Sequence, residues 1–94
     1  MSMSQDSAET IALQALAWIA GSDDLLPVFL GSTGTAADEL RVRAKDADFL
    51  ASILDFLLMD DAWVVGFCDT AGLGYDKPML ARAALPGGKD VYWT

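Results

Sequence analysis

Residues 46–59, reading DADFLASILDFLLM, constrain the fold more than any other stretch of this chain. Wound as a helix at about 100° per residue, Phe49, Leu50, Ile53, Leu54, Phe56, Leu57 and Leu58 fill one continuous arc of roughly 200°. Asp48, Ala51, Ser52, Asp55 and Met59 take the rest of the circumference. A surface helix carries an apolar stripe nearer 100° wide, so this one must be covered from more than one side. It is the predicted hub of a helical bundle. Asp46 is placed to cap its start, and Asp60-Asp61 break the apolar run at its end. Ile53→Asp is expected to unfold such a protein, and Asp55→Asn to leave it nearly unchanged.

The remaining segments are shorter and also helical. No stretch alternates with a period of two, and alanine and leucine outweigh β-branched residues, which favours helix over strand. Asp6 and Glu9 form a capping pair ahead of 8–20, where Ile11, Ala12, Ala15, Leu16, Trp18 and Ile19 share a face, and Gly21 follows as the expected C′ residue. Asp23 or Asp24 opens 25–30, with Pro27 in the first turn. Thr35 with Asp38 is a second capping box, opening 36–45. The segment 62–71 turns Trp63, Val64, Phe67, Cys68 and Ala71 to one side. Its internal Gly66 costs up to about 1 kcal/mol against alanine, which a close helix contact would explain. Asp76 opens the last helix, whose face is Met79, Leu80, Ala83 and Ala84, and Pro86-Gly87-Gly88 stops it. The 94 residues make one domain. The predicted fold is all-α, a compact bundle of five to six short helices around a central apolar helix at about 46–59. Residues 1–5 are a frayed N-terminus and 88–94 an aromatic tail.

The same residues restrict the chemistry. There is no histidine, so no Ser–His or Cys–His arrangement is possible within the chain. Cys68, the single cysteine, falls late in an apolar helix and is expected to be a buried, slowly reacting thiol. The aspartate pairs sit where helices start, and none has the spacing of a calcium loop. Gly31-Ser32-Thr33-Gly34-Thr35 lacks the lysine and the preceding strand of a phosphate loop. No catalytic, cofactor-binding or metal-binding residue is therefore assigned, and no cofactor is expected. Fourteen acidic against six basic side chains give a net charge of −8, a field that opposes nucleic acid and anionic membranes. The uncharged runs 10–22 and 25–37 fall short of the roughly 20 apolar residues that span a bilayer. An N-terminus without Lys or Arg does not resemble an export signal. A cytoplasmic location is expected.

The succession Phe29-Leu30, Thr33-Gly34, Leu40-Arg41, Phe49-Leu50, Leu54-Asp55-Phe56-Leu57-Leu58, Phe67-Cys68 and Ala81-Arg82 to Leu85-Pro86-Gly87 resembles a family of short stand-alone bacterial proteins known only as a domain of unknown function. The likeness runs from Asp6 to Gly87, and Gly74 departs from it where a longer polar side chain is expected. It implies a small cytosolic helical protein and brings no activity, cofactor or catalytic residue.

The function expected is that of a small cytosolic interaction or regulatory module, not an enzyme, working with a protein partner or with a second copy of itself. The candidate partner contacts are Arg41, Arg43, Lys45, Tyr92 and Trp93. The alternative is a nucleic-acid binder of helix-turn-helix type. It would use the Arg41/Arg43/Lys45 cluster, against the electrostatic argument and with Asp38 and Glu39 at the end that should face phosphates.

Overall fold

A computed structural model describes residues 3–86, and over them the chain is helical with no strand. Its elements are α1 (Gln5–Ala20), α2 (Leu25–Thr33), α3 (Leu40–Arg43), α4 (Ala47–Leu57), α5 (Asp61–Ala71) and α6 (Lys77–Ala83), with a 3₁₀ turn (Ala37–Glu39) leading into α3. The all-α bundle around an apolar helix is thus the observed architecture.

The two joints around α4 follow the sequence rule closely. Asp46 is extended, and its carboxylate accepts the Asp48 N–H at 3.0 Å. Asp60 does the same for Ala62 at 2.8 Å. Each such cap contributes about 1 kcal/mol and fixes the direction in which α4 or α5 departs. Between them Phe49, Leu50, Ile53, Leu54, Phe56 and Leu57 are buried. Ala51, expected on the outer side, is buried as well, because a side chain this small lets a neighbouring element close over it.

α4 shares the centre with α1, whose Ala8, Ile11, Ala12, Ala15 and Ile19 are buried. α1 packs along α4 and α6 and also touches α2 and α5. Three alanines on its inner face let backbones come near, which is how one 16-residue helix serves four neighbours. α5 is shared between α1 and α4: Phe67 meets Trp18 of α1 edge to face at 6.1 Å, and Trp63 stacks on Phe56 of α4 at 4.8 Å. Gly66 finds its reason here. A Cβ at that position would stand 3.1 Å from Trp18 Cζ2, so the missing side chain makes room for the indole.

Several helix starts and ends differ from expectation, and in each the geometry of the turn overrides residue type. Ser4, not Asp6, caps α1 by accepting the Ser7 N–H, so the helix reaches into the stretch read as frayed. Gly21 ends α1 at the expected place, with a right-handed φ of −81°. Ser22 accepts the Leu25 N–H, and Asp23 and Asp24 stay exposed. Gly34 and Gly72 end α2 and α5 in the left-handed conformation, with φ of 68° and 72°. The single helix expected over 36–45 is a 3₁₀ turn followed by one α-turn. Its reciprocal carboxylate is Glu39, which accepts the Ala36 N–H at 2.8 Å, and Thr35 is diverted to another role. Asp76 precedes α6 without a side-chain cap. The buried face of α6 is Pro78 and Ala81, continued by Leu85, while Met79 and Ala83 point outward. Asp55 of α4 is exposed but not idle, since Arg82 of α6 pairs with it. A surface pair of this kind contributes up to about 1 kcal/mol.

Candidate interaction groove

Phe29 of α2 is fully buried and meets two rings of α4 edge to face, Phe49 at 6.0 Å and Phe56 at 5.2 Å. This three-ring contact sets the last turn of α2 across α4. Thr33 stays in that turn by donating its hydroxyl to the Phe29 carbonyl at 2.9 Å. Beside the Phe49 and Phe56 rings lies an open groove of about 450 Å³. Ser32 and Thr33 form the α2 wall. The α4 wall is the stripe Asp48, Ser52, Asp55 and, just beyond the helix, Met59, with the sides of Phe49 and Phe56 between them. Arg43 and Asp46 stand at the N-terminal end of α4. Met59 is 70% exposed, an apolar side chain held out on the polar side of the hub.

Arg43 is anchored there. Its Nη1 donates to Thr35 Oγ1 at 2.8 Å, and its guanidinium lies 5.6 Å from the centre of the Phe49 ring. Thr35 is buried, so its hydroxyl needs a partner, and Arg43 supplies it while stacking on an aromatic face. Arg41 and Lys45 are exposed and do not line the groove. Tyr92 and Trp93 lie outside the described residues. Of the five expected partner contacts, the structure therefore brings Arg43 to the groove. The stripe at 48, 52, 55 and 59 was missed, although its signal is visible in hindsight: three polar residues at helical spacing that end on a methionine.

The short α3 bears on the base-reading alternative. Four residues make a helix of about 6 Å at 1.5 Å per residue, with Asp38 and Glu39 in the turn ahead of it.

Cys68 is buried, with Sγ 3.5 Å from the Gly74 carbonyl. Burial pushes its thiol above the ordinary value of 9.0, and the charges of Asp69 and Asp76 add to the rise. The unfolded chain ionises first, so stability is intact below about pH 9 and falls as pH rises from there through the folded value. Tyr75, whose hydroxyl donates to Asp69 at 2.7 Å, is also raised and shifts stability in the same direction at higher pH. Alkaline denaturation followed by circular dichroism should show this slope, with a smaller one in Cys68→Ala. Thiol-reagent labelling of the native protein should proceed no faster than opening of the bundle. Rapid labelling at neutral pH would place Cys68 at the surface.

Among the described residues no three Cys, Asp or Glu side chains are grouped to hold a metal ion, and no helix is long and apolar enough to cross a membrane. No curated protein and no solved structure matches the chain. A family model described as "Protein of unknown function (DUF3572)" matches residues 5–88, a range that takes in all six helices and the groove. The chain thus belongs to the DUF3572 family.

Proposed function

We propose that this is a non-catalytic, cytosolic interaction module, and that its groove takes a segment of another protein that carries cations beside apolar side chains. The observation that carries the reading is the groove along α4. Its floor is aromatic, Met59 is exposed at one end, and its walls hold three carboxylates against one guanidinium. The net charge of −8 extends the same sign over the molecule and would speed encounter with a cationic partner. An amphipathic helix laid in an apolar groove is a common mode of recognition. The Arg41/Arg43/Lys45 reading has less support, because Arg43 is spent on Thr35 and Phe49 and has Asp46 and Asp48 as groove neighbours.

Titration of the full chain with a synthetic amphipathic peptide of leucine, tryptophan and arginine tests the proposal. Binding should weaken at least tenfold in Ser52→Arg, which fills the groove and reverses its sign, provided the variant melts like the parent. A glutamate version of the peptide and duplex DNA should not bind. Equal affinity for the acidic peptide, or no effect of Ser52→Arg, would sink it.

A further inference from the structure

The occupant that suits the groove, cations beside apolar side chains, has a match on the surface of this same chain. Residues 40–45 read LRVRAK, three cations with no acid among them. Arg43 is turned to Thr35 and Phe49 and lines the groove of its own copy. Arg41 and Lys45 are four positions apart, a spacing that brings them to one side of the turn. Both are exposed, and Val42 beside them is 70% exposed, as far out as Met59. Of the acids just before the segment, Glu39 is folded back onto the Ala36 N–H, which leaves Asp38 against three cations. The other cations of the described residues are less well placed: Arg82 is held by Asp55, and Lys77 is half-buried directly after Asp76.

On the groove side, Asp55 is taken by Arg82 and Asp46 by the Asp48 N–H. Asp48 is exposed and is, among the described residues, the groove carboxylate with no partner for its side chain. The two halves adjoin, because Arg43 stands on the rim of the groove and Lys45 is followed directly by Asp46. One surface thus carries an exposed cationic turn beside an acidic groove with an aromatic floor. A two-fold axis pairs such halves, since each contact from one copy to the other is repeated in reverse. We infer that the occupant of the groove is the Arg41–Lys45 turn of a second copy, exchanged reciprocally in a symmetric dimer, an inference that rests on the groove being a site for cations beside apolar side chains. Arg41 and Lys45 then face Asp48 of the other copy, and Val42 covers its aromatic floor. The charge of −8 on each copy opposes their approach. At physiological salt that field fades within about 8 Å, so the charges on the face itself decide the contact.

Sedimentation equilibrium of the full chain at physiological salt, from low micromolar to submillimolar concentration, should show a monomer passing into a dimer. Arg41→Glu and Asp48→Lys, each melting like the parent, should each weaken association about tenfold or more, because each sets like charges against one another at both contacts. An equimolar mixture of the two variants should recover dimers, since the mixed pair has opposite charges at both contacts. Where Asp48→Lys melts early, Val42→Asp takes its place and should lose the dimer as well. A strictly monomeric parent, an undiminished dimer in Arg41→Glu or Val42→Asp, or a mixture that associates no better than its components would overturn the inference. A monomeric parent that binds the cationic peptide discards the second copy and leaves the groove reading in place. Rescue by the mixture, with no peptide bound by monomeric Arg41→Glu, keeps the dimer and discards the outside partner.

Discussion

Ile53→Asp should abolish folding. Ile53 is fully buried in the middle of α4. The substitution removes apolar surface worth about 2–3 kcal/mol and puts a carboxylate into the hydrophobic core. Lone buried charges cost several kcal/mol even after relaxation. A small domain holds only about 5–15 kcal/mol in all, so both losses together reach or exceed what is there. Circular dichroism and amide dispersion of the purified variant decide it: a folded chain with a cooperative melt would show that α4 is not the centre of the bundle. Asp55 lies two positions on and faces outward, so Asp55→Asn weakens one exposed ion pair and should leave the melt almost in place.

Phe56→Ala is the second large effect, and it reports on how three helices are joined. The Phe56 ring is buried, meets Phe29 of α2 edge to face and stacks on Trp63 of α5. Deleting a core phenylalanine costs about 3–5 kcal/mol, and the lost aromatic pairs add about 0.5–1.5 kcal/mol each. Urea unfolding should therefore shift by at least half of the parent midpoint. The groove should suffer before the bundle does, because Phe56 is part of its floor and Phe29 sets its second wall. Affinity for the cationic peptide should drop in denaturant-free buffer even where the variant remains helical. A midpoint within about 1 kcal/mol of the parent's stability would mean that Phe29 and Trp63 hold their helices without it.

The hub was legible in the sequence because its signal is both local and redundant. Its period, its width and the two capping aspartates all agree. The caps that were misread lie in runs such as Ser4 to Ser7 and Ser22 to Asp24, where several residues have the right chemistry. There the cap falls to the one placed where the backbone turns. Thr35 illustrates a different failure. Its hydroxyl fits a capping box by spacing, but Arg43, eight residues later, claims it, and no local pattern records that. The groove was not legible at all as a shape, since it depends on Phe29 crossing Phe49 and Phe56. Only Met59, apolar among aspartates, marked it. The resemblance to a domain of unknown function was carried mainly by core residues, and it led to the family without leading to the groove.

The packing of α1 on α6 has a consequence for biosynthesis. α1 is completed by α6, which is made later, with 56 residues of chain between Ala20 and Lys77. At roughly 5–20 residues per second of translation, α1 spends several seconds without its final neighbour. A nascent chain in that position is exposed to chaperones and to its own copies on the same messenger. The inner face of α1 is suited to the wait. Three of its five buried residues are alanines, which limit the apolar area left uncovered yet pack closely once α6 arrives, while Ile11 and Ile19 remain to be covered.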